Sequence, residues 1–168
     1  VTAGIVPMNF PAMIPWGWMV PLSIACGNTV VLKASSQTPL TSMRIMELFY
    51  KEGGFPKGVV NLVTCSRVEA DILLTDERVK AVTFIGTTGV GKQVYSKAAA
   101  HGKRVQAQCE AKNHALVLED CNLEATVNAI INSTYGCAGM RCMALPVVCV
   151  QESIADEFVA LLKKKAEA

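Results

Sequence analysis

Short apolar runs alternate along this chain with longer segments whose apolar residues recur every three or four positions. Residues 2–6 read as a buried strand that ends at Pro7-Met8-Asn9-Phe10-Pro11. A helix starts near Pro11, since proline suits a first turn. Pro15, Gly17 and Pro21 make it irregular, and Gly27-Asn28 end it. Residues 29–33 form a second strand, closed by Lys33, and residues 35–38 a polar turn. Met43, Met46, Phe49 and Tyr50 mark the apolar side of a helix over 39–51, which Gly53-Gly54-Phe55-Pro56 stops. Two more strands are expected at 59–63 and 80–85, with a short helix over 67–74 between them. The fourth strand runs into Gly86-Thr-Thr-Gly-Val-Gly-Lys92 and a helix to about residue 100. Further strands are expected at 104–109 and 115–118, and helices at 123–133 and 154–165.

Strands alternating with helices of this length imply βαβ units and a parallel sheet, hence an α/β fold. In such sheets ligands bind outside the carboxyl ends of the strands. Asn9, Lys33, Thr87 and Gln108 all fall at or just past predicted strand ends, and that convergence points to a nucleotide-type site.

Composition narrows the class. The 168 residues are 51% hydrophobic with a net charge of +2, which describes a folded chain and gives no basis for a nucleic-acid partner. Seven cysteines lie scattered without a C-x-x-C pair, and there are two histidines, so neither a disulfide framework nor a metal site is expected. A reducing compartment fits best. No charge occurs from Val1 through Leu32, but four prolines interrupt that run. The uninterrupted part falls short of the ~20 residues a membrane span needs, and a buried strand followed by a buried helix accounts for it. The chain opens on Val1 without a basic leader, so it is expected to be a piece of a longer protein.

Two stretches carry candidate chemistry. Tyr135-Gly136-Cys137-Ala138-Gly139-Met140-Arg141-Cys142-Met143-Ala144 combines small residues, which allow a tight turn and close approach, with a thiol beside an arginine. Positive charge or free backbone amides near a thiol favour its thiolate and its nucleophilicity, while the plain alternative is a buried cysteine in a packing turn. Gly86 to Lys92 matches the G-x-x-x-x-G-K phosphate loop, but Gln93 stands where a hydroxyl should hold magnesium. A helix N-terminus able to hold a phosphate is what survives of that motif. A phosphate-loop nucleotide binder remains an alternative on this pattern alone.

Taken together and in order, the pieces resemble the aldehyde dehydrogenase family. Pro7-Met8-Asn9-Phe10-Pro11 resembles its strand-end Asn-Phe-Pro segment, and Gly27-Asn-Thr-Val-Val-Leu-Lys33 its lysine strand. Phe84-Ile-Gly-Thr87 resembles its Phe-x-Gly-Ser turn, and Gly139-Met-Arg-Cys142 the segment around its nucleophile. Pro11-Ala-Met-Ile-Pro15, Gly102-Lys-Arg-Val-Gln-Ala107, Ala111-Lys-Asn-His114 and Arg141-Cys-Met-Ala144 are similar to the branch that oxidises methylmalonate and malonate semialdehydes.

The resemblance implies a Rossmann-like NAD-binding domain over residues 1–110 and the start of a catalytic domain over 111–168. Cys142 would attack the aldehyde carbon, and the Asn9 amide with the Cys142 N–H would stabilise the oxyanion. Lys33 would bind the adenosine ribose, Val6 and Met8 would lie along NAD, and Thr87 would contact its pyrophosphate. Gln108 stands at the aligned position of the glutamate that activates water in most of the family, which is consistent with coenzyme A removing the acyl group. The resemblance also implies a homotetrameric parent, mitochondrial in eukaryotes and otherwise cytoplasmic.

Several positions depart from the family's pattern. Ser36 stands where a glutamate usually holds both ribose hydroxyls, Ala34 replaces a proline, and Cys65 a glycine. Cys109-Glu110 replaces a residue-plus-glycine pair beside the nicotinamide. Pro15-Trp-Gly-Trp18 and Glu52-Gly-Gly-Phe55 each carry one extra residue, and an insertion turns the rest of a helix by ~100° unless a bulge absorbs it. These departures imply a piece that is inactive alone, or a degenerate, non-catalytic α/β module acting through partner binding.

Overall fold

The computed structural model describes residues 1–168 and divides them into two compact units, Val1–Cys109 and Glu110–Ala168. Five strands build the first: β1 (Thr2–Ile5), β2 (Val30–Lys33), β3 (Val60–Val63), β4 (Ala81–Ile85) and β5 (Arg104–Gln108). They pair in the order β3-β2-β1-β4-β5 with every pairing parallel. The α/β parallel-sheet expectation is borne out. The chain runs outward from β1 through β2 to β3, then returns to the other side of β1, so the topological switch point lies between β1 and β4.

The alternation of side chains along each strand divides the core between the two sheet faces. Val30 and Leu32 join Trp16, Met19 and Val20 on one face, and Val82 and Phe84 join Leu74, Val94 and Ala98 on the other. In the central strand a Cβ on Gly4 would come within 2.7 Å of Leu32 Cδ2 and 3.0 Å of Met19 Sδ, so the packing itself demands glycine.

Helices connect the strands: α1 (Val20–Ala25), α2 (Pro39–Lys51), α3 (Ile72–Thr75) and α4 (Thr88–Ala100). The first differs from the expected helix starting at Pro11. It is preceded by a π-helical turn over Pro15–Met19, in which the Val20 N–H reaches the Pro15 carbonyl. That turn falls on the stretch where an extra residue was expected, and an i→i+5 turn is how a helix takes one in without rotating its later turns. The surplus at Glu52-Gly-Gly-Phe55 falls in the turn after α2, where Gly54 adopts a left-handed φ of 64°. The helix expected over 67–74 is instead a turn followed by a 3-10 segment, Glu69–Asp71, that leads into α3.

The second unit pairs β6 (His114–Val117) with β7 (Val147–Val150) in parallel, under α5 (Leu123–Tyr135) and α6 (Ala155–Ala166). Val117, Val127, Ile130 and Phe158 form its core. Asn122 caps α5 by accepting from the Ala125 N–H at 3.0 Å.

Candidate active site

In the first unit, β1 and β2 hold the expected ligand-binding turns together. The Val6 N–H donates to the Lys33 carbonyl at 3.2 Å, and Pro7, having no N–H, ends the ladder. The turn beyond is tied to the turn after β2, because Thr38 Oγ1 donates to the Met8 carbonyl at 3.0 Å. Val6 is 5% exposed and packs in the core, so what it offers a ligand is backbone; Met8 is exposed at 43%. Asn9 lies in the same bend. Ser36 is exposed on the turn after β2, where Gln37 N–H donates to Ser35 Oγ at 3.3 Å.

Thr87 is the N-cap of α4, with extended backbone (φ −70°, ψ 149°) and its carbonyl accepting from Gly91 N–H at 2.8 Å. Residues 88–92 are therefore already helical, and no glycine-rich loop exists to cradle a nucleotide triphosphate. The phosphate-loop alternative fails on that geometry. A 13-residue helix still presents its positive end beside the switch point. Gly91 lets α4 approach the end of β5, since a Cβ there would sit 2.4 Å from Cys109 Sγ.

Beside the end of β2 opens a cavity of about 430 Å³, lined among others by Ile5, Lys33, Arg67, Asp71, Gln93 and Lys97. Lys97 pairs with Asp71 and Arg67 donates to Gln93, so the one carboxylate in the lining is already matched by a cation. The surplus positive charge of Lys33 and Arg67 favours an anionic ligand. Arg67 had no expected role, since nothing in its local sequence distinguishes it from a solvated loop arginine.

Cys142 belongs to the second unit. After α5 the backbone makes three successive left-handed residues: Cys137 (φ 53°), Ala138 (φ 53°) and Gly139 (φ 73°). Left-handed backbone costs ~1–2 kcal/mol per residue that carries a Cβ, so surrounding contacts hold this turn in place. Arg141 provides two of them, donating from Nε to Cys137 Sγ at 3.4 Å and from Nη1 to the Asn132 carbonyl at 3.3 Å. A cation is favoured at this helix end. The hydrogen bonds of Arg141 thus go to the earlier cysteine and to the end of α5, where they hold the turn.

Beyond Arg141 the thiol of Cys142 is on an exposed residue, and the backbone that carries it is irregular. Asn113 Nδ2 donates to the carbonyls of Cys142 (2.8 Å) and Ala144 (2.9 Å), and Thr134 Oγ1 to that of Leu145 (2.9 Å). Sequence reasoning gave none of these donors a role. Asn9, Val6, Met8, Lys33, Ser36 and Thr87 lie in the first unit, at or beyond the ends of β1, β2 and β4, and Cys142 lies in the second.

The fold is thus α/β: a parallel sheet with a cationic cavity at one strand end, followed along the chain by a unit that carries an exposed cysteine on a braced loop. The chain belongs to the aldehyde dehydrogenase family, whose model matches residues 1–168. It is 54% identical over 162 residues to a malonate-semialdehyde dehydrogenase of Bacillus cytotoxicus, covering 96% of this chain and 33% of that protein. The methylmalonate-semialdehyde dehydrogenase DddC from Oceanimonas doudoroffii superposes with a TM-score of 0.93 at 42% identity, over 98% of this chain and 33% of that one. A Sinorhizobium meliloti 1021 protein of the same assignment, solved with NAD, gives 0.94 at 40% over 99% and 34%. The chain thus spans about a third of the length of the relatives it matches. No helix in it is long and apolar enough to cross a membrane.

Proposed function

We propose that this chain is the cofactor-binding and nucleophile-bearing part of an NAD-dependent, CoA-acylating semialdehyde dehydrogenase acting on malonate or methylmalonate semialdehyde. The observation that carries the reading is Cys142, exposed on a braced loop, in a chain 54% identical to malonate-semialdehyde dehydrogenases. The Cys142 thiolate adds to the aldehyde carbon and forms a C–S bond, while the carbonyl oxygen takes up the negative charge as an oxyanion. By the family resemblance, the Asn9 side-chain amide and the Cys142 backbone N–H would be the donors to that oxyanion. Bound NAD would supply the hydride acceptor needed to bring the Cys142 adduct to the thioester level. The coenzyme A thiol then displaces Cys142, whose sulfur leaves as thiolate; loss of CO₂ from the acyl group leaves an enolate that takes up a proton, giving acetyl- or propanoyl-CoA.

The first unit fits the cofactor. Lys33 and Arg67 supply positive charge beside an apolar-walled cavity, and the positive end of α4 supplies a pyrophosphate contact at Thr87. Val6 and Met8 would run along NAD, and Ser36 would meet the ribose without a carboxylate's two acceptors. Gln108 ends β5, where its neutral amide cannot act as a base. The complete enzyme on this reading is a homotetramer, mitochondrial in a eukaryote and cytoplasmic in a bacterium, and these 168 residues alone do not turn over.

Titration calorimetry with NAD, run beside a Ser36→Glu, Glu110→Gly double variant, tests the cofactor half. Micromolar binding by the native chain supports the site as it stands. Binding by the double variant alone means that the fold is right and the site has decayed. Absence of binding by both overturns the reading for this chain.

A further inference from the structure

We infer that Asn113 is a positioning residue for Cys142, acting through a clamp of side-chain donors on the backbone that follows the thiol. The inference rests on the reading of Cys142 as nucleophile. Between Arg141 and β7 the chain has no ladder or helix to fix it, so its carbonyls need other partners. Three of four successive carbonyls receive firm bonds. Those of Cys142 and Ala144 accept from the single Asn113 amide at 2.8 and 2.9 Å, and that of Leu145 from Thr134 Oγ1 at 2.9 Å. The Met143 carbonyl has only a long contact from Ser133 Oγ, at 3.5 Å. Because both partners of Asn113 are carbonyl oxygens, the NH₂ end of its amide must face them.

One amide holding residues 142 and 144 together fixes the peptide plane after Cys142 and therefore ψ of the residue that carries the thiol. The methyl of Ala144 is buried, and its N–H donates to the Arg141 carbonyl at 3.1 Å, so the far end of the clamp is anchored. Thr134 stands in the last turn of α5, and Asn113 immediately precedes β6. The thiol's orientation is thus referred to the two most regular parts of its unit. Positioning of this kind acts on rate because small displacements of a reacting group are costly in catalysis.

The test is peptide-resolved alkylation of the 168-residue chain by iodoacetamide, comparing Cys142 with Cys26 and Cys149, which are also exposed. Asn113→Asp keeps the shape and replaces both donors by acceptors. It should slow Cys142 by about threefold or more, with the two control cysteines unchanged. Asn113→Gln keeps both donors on a longer arm and should recover part of the rate, which a space-filling role does not predict. If Asp destabilises the unit, Asn113→Ser, with one donor, should fall between Asp and wild type. An unchanged Cys142 rate in a folded Asp or Ser variant overturns the inference. A Cys142 that is slow in wild type counts against the nucleophile reading alone, since the comparison between variants still reads the clamp.

Discussion

The guanidinium of Arg141 occupies the space that a side chain at Gly136 would fill: a Cβ there would lie 2.5 Å from Arg141 Cζ. Backbone at Gly136 is ordinary for any residue (φ −55°, ψ 136°), so sterics alone demand the glycine. Gly136→Ala should therefore displace a flexible side-chain tip at a cost of about 1 kcal/mol or less. It should also break the arginine's bonds to Cys137 and the Asn132 carbonyl. The expected outcome is a small shift in the urea midpoint together with faster alkylation of Cys137. A loss of several kcal/mol would show that the backbone itself is strained at this position.

Lys103 is 7% exposed, and its ammonium donates to the carbonyls of Asp76 (2.5 Å) and Val79 (2.7 Å). Those carbonyls flank the turn that leads into β4, so the lysine fastens α3 to the strand beside the switch point. Lys103→Met fits the apolar stem but leaves both acceptors without their charged donor, which should cost about 2–3 kcal/mol. Denaturant unfolding followed by circular dichroism measures it. Equal stability of the two proteins would mean that water replaces the ammonium fully.

Much of this fold is legible in the sequence because it is written in short-range patterns. Val30, Leu32, Val82 and Phe84 alternate as strand residues do, Pro39 opens α2, and Gly86-Thr87 marks a strand-to-helix turn. Even the π-helical turn has a trace, in the surplus residue among Pro15, Trp16, Gly17 and Trp18. At the candidate site, the strand-end placement of Lys33 and Thr87 was legible for the same reason. Arg67, Lys103, Asn113 and Thr134 were not. Each acts through a polar contact between residues 11 to 31 positions apart, and such contacts leave no periodicity to read. The bonds from Arg141 to Cys137 and the Asn132 carbonyl were likewise not legible, because adjacency in sequence says nothing about where a long side chain reaches.

The Asp76 carboxyl is held well below the usual carboxylate range, first by the Arg78 side chain and then by the Arg78 backbone N–H. A folded-state pKa below the unfolded value means that the carboxylate stabilises the fold above the unfolded pKa of ~3.9, and that this contribution is lost as pH falls through the folded value. Glu47, beside Lys51 and Arg44, and Glu124, beside Lys165, are shifted the same way. Stability should thus be flat near neutral pH and fall below about pH 4. Asp76→Asn should flatten part of that decline, with urea midpoints compared at pH 6, 4 and 3 as approximate sampling points. A variant whose acid decline matches wild type would remove Asp76 from the account.

The π-helical turn can be probed by deletion. Trp16, Met19 and Val20 are buried on the sheet side of this segment, whereas a Cβ built on Gly17 meets only Met13 Cγ, at 3.9 Å. Gly17 is therefore the residue whose space nothing else uses. Deleting it should turn the i→i+5 bond from Val20 to Pro15 into an ordinary i→i+4 bond, leaving Met19 and Val20 facing the core. It also removes a poor helix former, so the shortened chain should fold within about 1 kcal/mol of wild type. Deleting Met19 instead removes a core side chain and should cost roughly 2–5 kcal/mol, on the scale of large-to-small core substitutions. Thermal melting of the two deletion variants decides the matter. If loss of Gly17 is as damaging as loss of Met19, the π turn is fixed by the core rather than by a surplus residue, and the tight turn after β1 depends on it.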